Sequence, residues 1–482
     1  MGGPRGAAPS ALFGAYDIRG RYPRDFAPEV SRRLADAFLA NFPGPFVAAR
    51  DTRTASRQLE STVVDRFRAK RRSVLELGVQ PTPVVGFSSR YLRTVGLAFT
   101  PSHNAVGFAG IKAFGSNGES FGREWGRLSH AFSRLRTVPR TRARRVGGEP
   151  GGRPEAPSAK EAVSAYVAHI TRGLSFHGTI VIDGRGGATT HLAPRALSQI
   201  GAKVRELHPT FSARFHGRSP EPAPDNIADL GRTVRSERAD LGVAFDGDGD
   251  RVVFVDARGA WVEPEVIATF LHRHLSPARR PLVGSADVSQ LCEKHAPTVR
   301  SRVGSRYIAD AMRRHSAHVG FEASSHFYLP RWGPNSDGIL VACVVSDLLR
   351  RRGTTLGELS RAFGPIVRQR STLDFPTRSL ASEHLRSLLR QLDPPARIGV
   401  DGFVWQSESG TVVFRTSNTQ PSLRLSFEAR PGGRLASLRR DWVRAQTVPR
   451  GGTKRRAVGE RRTGHRGSPA LTESRRPRRR QS

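Results

Sequence analysis

The chain has 482 residues, of which 37% are hydrophobic and 25% charged, with 49 glycines and 33 prolines. This composition is typical of a globular protein of about three domains and excludes a collagen-like or wholly disordered chain. The 78 Lys and Arg residues outnumber the 42 Asp and Glu residues, which gives a formal net charge of +36, and only six of these basic residues are lysines.

Cysteine usage and hydropathy exclude further classes. The only cysteines, Cys292 and Cys343, form no CxxC pair, so neither a disulfide framework nor a cysteine zinc site is expected. The longest apolar run, 339–345, is far shorter than the roughly 20 residues that span a bilayer. The first 20 residues lack the apolar stretch of a signal peptide. We therefore expect a soluble, cytoplasmic protein.

The first half of the chain alternates predicted strands, turns and helices. In the first unit we predict a strand at Phe46–Arg50, a helix at 56–68, a strand at 74–77, a turn at 80–83 and a strand at 96–100, before an Arg-, Gly- and Pro-rich linker at 134–157. In the second we predict a strand at Thr179–Asp183, a helix after Gly187, a strand at 202–207, a helix at 227–238 and a strand at Leu241–Phe245.

The second half continues this pattern and then changes. In the third unit we predict a helix at 264–274, a strand at Leu282–Ser285 and helices at 306–314 and 337–350. In the last we predict a helix at 382–392, strands at 397–404, 411–414 and 423–428, and a helix at 434–444. Alternating strands and helices predict α/β domains with largely parallel sheets, followed by a small α+β domain. We place the boundaries at 1–150, 151–255, 256–368 and 369–447.

The C-terminal segment 448–482 has a different character. It carries a net charge of +10 from residue 450 onward and has almost no apolar residues, so we expect it to be disordered. An arginine-rich run can bind nucleic acid, but a solvated tail explains the composition as well. The rest of the chain has no aromatic-interleaved basic stripe or zinc-finger spacing. Nucleic acid is therefore expected as a partner only through this tail.

A group of three carboxylates follows the predicted strand at Leu241–Phe245. Asp246, Asp248 and Asp250 occupy alternate positions, so in an extended chain their side chains point the same way. Like charges so close together favour a hard cation among them, and oxygen ligands suit Mg²⁺. An EF-hand also opens with this spacing, but it requires Gly and Glu where this chain has Arg251 and Ala257. The motif predicts a magnesium site, with an acidic turn as the alternative.

Three other segments carry polar groups at predicted strand ends or turns. Ser102 follows a strand, and Lys112, in a chain that prefers arginine, suggests a compact ammonium beside a phosphate. The segment 415–424 contains hydroxyls, an amide and two arginines, which suits a phosphate cradle as well as a polar hairpin. Glu322, Ser324 and His326 have alternating spacing that suits hydrogen bonds to sugar hydroxyls.

Taken in order, these segments resemble the α-D-phosphohexomutase superfamily, which includes phosphoglucomutase and phosphomannomutase. The matching segments are 16–20, 51–53, 81–83, 100–104 with 110–112, 246–251, 303–304, 322–326, 337–338 and 415–419. They are collinear and extend from about residue 13 to 445. The resemblance implies a four-domain architecture, three similar α/β domains and a small α+β domain around one cleft, each contributing a loop.

The resemblance also implies roles for individual residues. Ser102 would be a phosphoserine, and its phosphate with Asp246, Asp248 and Asp250 would hold Mg²⁺. Catalytic roles are implied for Ser102, His103, Lys112, Arg19 and Arg251. Substrate contacts are implied for Tyr16, Glu322, Ser324, His326, Arg415, Ser417, Asn418, Thr419 and Arg424. The expected reaction interconverts hexose 1-phosphate and hexose 6-phosphate, on glucose or mannose, through a hexose 1,6-bisphosphate that also serves as activator.

Several positions depart from the usual family pattern. Pro101, Ala105, Ala109, Ser305, Ser325, Gln420 and the Gly186-Gly187-Ala188 turn replace other residues. None removes the nucleophile or a carboxylate of the metal motif, but together they bear on rate and sugar preference. Two alternatives therefore stay open, a mutase-fold sugar-phosphate binder of low activity and a nucleic-acid-associated protein acting through its tail. The oligomeric state is not indicated by the sequence.

Overall fold

The structure is a computed structural model that describes residues 12–14, 16–135, 157–277, 279–417 and 421–447. Most of the predicted linker, the predicted tail and residues Asn418, Thr419 and Gln420 lie outside the described residues. Four sheets follow one another along the chain, each with its own helices. This arrangement confirms the α/β class with a fourth, β-rich domain, while the exact domain boundaries stay predictions.

Domain I contains a five-stranded sheet in the order β1-β5-β4-β2-β3. Its elements are β1 (Ile18–Arg21), α1 (Pro28–Asn41), β2 (Phe46–Arg50), α2 (Thr54–Ala69), β3 (Val74–Val79), α3 (Thr82–Leu92), β4 (Val95–Phe99), β5 (Phe108–Phe114) and α4 (Glu124–Arg134). Strands β3, β2 and β4 are parallel, whereas β5 and β1 pair antiparallel. The predicted turn at 80–83 is wrong in part, because helix α3 begins at Thr82 and has Pro83 in its first turn, where proline is tolerated.

Domain II repeats this design with the order β10-β9-β8-β6-β7. Its elements are α5 (Ala159–Thr171), β6 (Thr179–Asp183), α6 (Leu192–Gln199), β7 (Lys203–Leu207), α7 (Ala228–Ser236), β8 (Leu241–Phe245), β9 (Val252–Asp256) and β10 (Trp261–Val262). Helix α5 begins with a capping box: the Ser158 hydroxyl accepts the Glu161 amide, and the Glu161 carboxylate accepts the Ser158 amide. Strand β8 is buried along its whole length and ends at the predicted metal motif.

Domain III has a four-stranded sheet in the order β12-β11-β13-β14. Its elements are α8 (Pro264–Leu275), β11 (Leu282–Ser285), α9 (Cys292–His295), β12 (Thr298–Ser301), α10 (Ser305–His315), β13 (Gly320–Phe321), β14 (Phe327–Tyr328), α11 (Gly338–Arg352) and α12 (Leu356–Phe363). In all three domains parallel strands on one side of the sheet adjoin antiparallel strands on the other. The prediction of largely parallel sheets therefore holds for only part of each sheet.

Domain IV is an antiparallel sheet in the order β15-β19-β18-β17-β16. Its elements are β15 (Arg368–Asp374), α13 (Arg378–Gln391), β16 (Arg397–Ile398), β17 (Phe403–Ser407), β18 (Gly410–Thr416), β19 (Ser422–Ala429) and α14 (Leu435–Thr447). The single strand predicted at 397–404 is wrong, because the chain turns between β16 and β17 at Gly402, whose φ of 89° suits glycine.

The hydrophobic cores divide the molecule unequally. One cluster of buried side chains runs through domains I, II and III, from Val47 through Tyr166 to Val341. The buried apolar residues of domain IV, such as Trp405 and Trp442, form a separate cluster. Polar groups join domain IV to domain III: the Arg368 guanidinium on β15 pairs with Glu263 and Glu265 at the start of helix α8, and Ser289 donates to Glu428 on β19 over 2.7 Å.

Candidate active site

A cleft of about 640 Å³ lies where the four domains meet. Every predicted site residue within the described residues lines this cleft, except Asp246 and Asp248, which lie buried directly beneath it. The structure thus brings together the predicted catalytic, metal-binding and substrate-binding residues from four separate domains. Two more predicted site residues, Asn418 and Thr419, lie outside the described residues.

Ser102 is held in an unusual backbone conformation at the end of strand β4. Its φ is 55°, in the left-handed region that a non-glycine residue rarely adopts. The Thr100 hydroxyl accepts the Ser102 amide at 2.9 Å, and the fully buried Arg53 donates to the carbonyl oxygen of Ser102 at 2.7 Å and also to that of Asn104. Arg53 is in turn paired with Asp51. This buried support fixes the loop and directs the Ser102 hydroxyl into the cleft.

The three aspartates of the metal motif converge on this hydroxyl. Ser102 Oγ donates to Asp246 Oδ2 over 3.0 Å, and carboxylate oxygens of Asp246, Asp248 and Asp250 all lie within 4.8 Å of one another. Glycines make this packing possible: a side chain at Gly247 would meet the carbonyl oxygen of Ser102 at 3.1 Å.

The electrostatics of the motif favour a bound cation. Burial, followed by the like charges of Asp250 and Asp248, raises the pKa of Asp246 well above its ordinary value. Among the described residues, Asp248 Oδ1 is buried with no hydrogen-bond partner. An unsatisfied carboxylate oxygen in an all-oxygen donor set is what a divalent ion such as Mg²⁺ would complete. The residues present therefore fit the predicted metal.

Lys112 balances part of this negative charge. It lies on strand β5, and its ammonium donates to Asp248 Oδ2 at 2.7 Å and to Asp250 Oδ2 at 2.5 Å. Although burial disfavours the charged form, these aspartates raise the pKa of Lys112 above its ordinary value. The lysine is thus a permanent cation next to the serine loop.

Two arginines complete the cationic wall around Ser102. Arg19 lies on β1, and it donates to Asp17 at 2.7 Å and to the Asn104 side chain at 3.0 Å. Arg251 donates to Glu221 at 2.5 Å and to His103 Nδ1 at 2.8 Å. Arginine can only donate, so His103 Nδ1 is an acceptor.

His103 is consequently a neutral imidazole next to the serine. Burial, then the charges of Arg251 and Arg19, lower the pKa of His103 well below its ordinary value. Its Nδ1 lies 3.4 Å from Ser102 Oγ.

The predicted sugar-binding loop of domain III is held rigidly. Glu322 Oε1 accepts the Gly304 amide at 2.7 Å and Oε2 accepts the Tyr328 hydroxyl at 2.9 Å. His326 lies 3.3 Å from both Asp250 and Glu322, and 2.9 Å from the Ser324 hydroxyl. The sugar loop is therefore in direct contact with the metal motif.

The remaining two sides of the cleft come from domains I and IV. Tyr16 donates to the carbonyl oxygen of Val303 in domain III over 3.3 Å and so bridges the cleft. Arg415, on β18, pairs with Asp401 at 3.3 Å, and Arg424, on β19, donates to Thr372 at 2.7 Å. Both arginines line the cleft together with Ser417.

The structure adds residues to the candidate site that sequence reasoning did not single out. Thr82, at the start of α3, donates to Asp248 Oδ2 at 2.6 Å, and its amide donates to the Asp248 carbonyl oxygen. Arg53 and Thr82 lie in the short segments 51–53 and 81–83 that carried part of the resemblance, which was the available signal. Nothing in the sequence indicated Glu221 as a site residue, because it lies in a loop remote in sequence from Arg251.

Similarity to known proteins agrees with this geometry. The chain matches phosphoglucomutase/phosphomannomutase alpha/beta/alpha domains I, II and III over residues 10–127, 161–259 and 266–365. It is 30% identical over 455 residues to a Methanopyrus kandleri protein named "Probable phosphoglucosamine mutase", an alignment that covers 89% of this chain and 96% of the relative. A Pyrococcus abyssi protein of the same name is 28% identical, with 88% and 95% covered.

Solved structures show the same fold. A phosphoglucomutase/phosphomannomutase family protein from Burkholderia thailandensis superposes with a TM-score of 0.74 at 24% identity, covering 90% of this chain and 96% of that one. An N-acetylphosphoglucosamine mutase from Aspergillus fumigatus, in complex with GlcNAc-6P and magnesium, superposes with a TM-score of 0.55 at 14% identity, covering 90% and 96%. These likenesses show that the chain shares the fold of these structures.

The chain belongs to the phosphoglucomutase/phosphomannomutase family of the α-D-phosphohexomutase superfamily. This confirms the resemblance seen in the sequence. The relatives' names include glucosamine, so they do not single out glucose or mannose as the sugar. No helix within the described ranges is long and apolar enough to cross a membrane.

Proposed function

We propose that this protein interconverts the 1-phosphate and 6-phosphate of a hexose by passing a phosphoryl group through Ser102. The observation that carries this proposal is the hydroxyl of Ser102, which lies 3.0 Å from Asp246 within a cleft lined by Lys112, Arg19 and Arg251. Phosphoryl transfer requires mainly positioning and cations around the equatorial phosphate oxygens. This cleft supplies both.

Asp246, Asp248 and Asp250, together with a phosphate on Ser102, are the groups that would hold Mg²⁺. The ion, when bound, would neutralise charge on the transferring phosphate. The chain's own residues act beside it: Arg19 and Arg251 offer N–H donors to phosphate oxygens, and the fixed loop keeps Ser102 in line with the incoming group. The magnesium-bound neighbour from Aspergillus fumigatus supports the choice of metal.

The rest of the cleft would hold the sugar and its second phosphate. Glu322 and Ser324 face the cleft as acceptors and donors for hydroxyls, while Arg415 and Arg424 face it from domain IV as cations for the phosphate that is not reacting. The two phosphates of a hexose 1,6-bisphosphate must exchange places during the cycle. A bisphosphate intermediate that is released and rebound, or turned within the cleft, meets this requirement and explains why it would act as activator.

The sugar itself is the open part of the proposal. Glucose and mannose phosphates follow from the resemblance, and the names of the relatives add glucosamine phosphate as the first to be tested. We test the three by phosphorus NMR, with Mg²⁺, a trace of glucose 1,6-bisphosphate and each hexose 1-phosphate in a separate tube. Conversion to the 6-phosphate that disappears with Ser102→Ala supports the mutase and ranks its sugars. No conversion of any sugar by folded protein would overturn the proposal and favour a sugar-phosphate binder.

A further inference from the structure

A third arginine shares the cleft-facing side of domain IV with Arg415 and Arg424. On β15, Arg370 is two residues from Thr372, which is paired with Arg424 on β19, and Arg424 is paired with Arg415 on β18. Alternate residues of a strand and opposite residues of paired strands point to the same face of a sheet. Arg370, Arg415 and Arg424 therefore project from one face, and all three line the cleft.

Among the residues that the structure describes, Arg370 differs from its neighbours in having no hydrogen-bond or ion-pair partner. Arg368, the preceding residue on this face, is paired with Glu263 and Glu265, and Arg415 is paired with Asp401. Arg370 is exposed to solvent within the cleft, and no hydrogen bond or ion pair joins it to the part of the chain that the structure describes. Although Arg370 is exposed to the cleft, the surrounding protein atoms partly desolvate its guanidinium. This desolvation, followed by the like charge of Arg368, lowers the pKa of Arg370. An anion bound next to Arg370 would offset the repulsion between the positive charges of Arg370 and Arg368.

Asp287 lines the same cleft as Arg370, and the charges of the two side chains interact. It follows strand β11 of domain III, lines the cleft, and accepts the Ser285 hydroxyl at 2.6 Å. Burial opposes its ionisation, but Arg370, Ser285 and Arg415 hold the pKa of Asp287 below its ordinary value. The two charges attract without an ion pair, which leaves the N–H donors of Arg370 available.

We propose that Arg370 is a binding residue for the substrate phosphate that is not reacting, acting with Arg415 and Arg424, and that Asp287 is its positioning residue. This inference rests on the proposed function, whose two-phosphate intermediate requires such a site. The flat guanidinium presents a fork of donors that matches phosphate oxygens. Three guanidiniums on one face of the sheet, those of Arg370, Arg415 and Arg424, offer the positive charge and the N–H donors that bind a phosphate.

The test measures binding of glucose 1,6-bisphosphate by titration calorimetry, in full-length protein that carries Ser102→Ala so that no phosphoryl group is transferred. Arg370→Gln should weaken binding roughly tenfold or more, as expected for loss of a charged hydrogen bond. Arg370→Lys should lie between this variant and the parent. The matched control is Arg386→Gln, which removes an exposed arginine from α13 of the same domain and should leave the affinity unchanged.

With Ser102 intact, Arg370→Gln should raise KM for the hexose phosphate while kcat changes less than threefold. Asp287→Asn should raise KM by a smaller factor in the otherwise wild-type protein and have no further effect in Arg370→Gln, because Asp287 acts through Arg370. Equal bisphosphate affinity in parent and Arg370→Gln, or no binding by the parent, overturns the inference. If wild type turns over and Arg370→Gln has the same KM, the inference is wrong and the proposed function stands. If binding depends on Arg370 but wild type shows no turnover, only the proposed function is wrong.

Discussion

The buried Asp337 provides a stability prediction that can be worked out from the structure. Asp337 caps helix α11 by accepting the Leu340 amide at 3.0 Å, and it accepts the Tyr166 hydroxyl from helix α5 at 2.9 Å. Burial raises its pKa from 3.8 to about 6, against the opposing effect of these hydrogen bonds. Asp337→Asn keeps an oxygen that can accept both bonds but removes the charge.

The sign follows from the order of the two pKa values. Between pH 4 and 6 the folded protein binds the Asp337 proton and the unfolded chain has released it, so the free energy of unfolding falls as pH rises. The contribution of the neutral acid is fully present below pH 4 and lost above pH 6. A rise in pKa of this size corresponds to about 3 kcal/mol. Asp337→Asn should match wild type near pH 4 and exceed it by about that amount at pH 7.5.

The assay is urea unfolding followed by circular dichroism from pH 4 to pH 8, with the difference between variant and wild type plotted against pH. Other titrating groups cancel in that difference. Asp65→Asn, at an exposed position of helix α2, is the matched control and should differ from wild type by less than about 0.5 kcal/mol at every pH. A difference for Asp337→Asn that does not change with pH would refute the reasoning.

Three further predictions concern the cleft. Asp248→Asn should raise the Mg²⁺ concentration for half-maximal turnover by tenfold or more; an unchanged magnesium titration would show that this carboxylate is not a ligand. Arg53→Met should speed amide hydrogen exchange at residues 100–107 and abolish turnover, since Asp51 loses its buried partner; unchanged exchange there would mean that Arg53 does not hold the serine loop. Thr82→Val should lower kcat without changing the thermal midpoint by more than a few degrees, and kcat equal to wild type would remove Thr82 from the site.

The fold was predictable where buried strands are bounded by clear breakers. The structure confirms, with the same bounds, the strands Phe46–Arg50, Thr179–Asp183, Leu241–Phe245 and Leu282–Ser285. Each of them contains an apolar run of at least three residues, counting glycine as apolar. Strand β15 escaped prediction because its residues, Arg-Gln-Arg-Ser-Thr-Leu-Asp, are mostly polar: one face lines a cleft rather than a core. The apolar pattern that indicates a strand is absent where the sheet serves a polar cleft.

The candidate site was predictable as a set of residue types but not as a set of contacts. The metal motif and the serine loop carry their chemistry in adjacent residues, so the sequence indicates them directly. The salt bridge between Arg251 and Glu221 joins groups 30 positions apart, and Tyr16 reaches a residue 287 positions away. The first contact depends on how the loops of domain II fold and the second on how domains I and III pack, and local sequence patterns encode neither.

The unequal division of the hydrophobic core has a consequence for how the molecule comes apart. Domain I has an apolar cluster of its own but also takes part in the cluster that runs through domains I to III, so these three domains should melt as a single cooperative body. The shared cluster does not extend into domain IV, which is joined to domain III through ion pairs and hydrogen bonds. Separating this polar interface between domains III and IV exposes little apolar surface, and salt weakens the ion pairs across it. The arginines that would hold the distal phosphate therefore belong to the part of the molecule that can loosen first, while the serine and its carboxylates remain in the part that holds together longest.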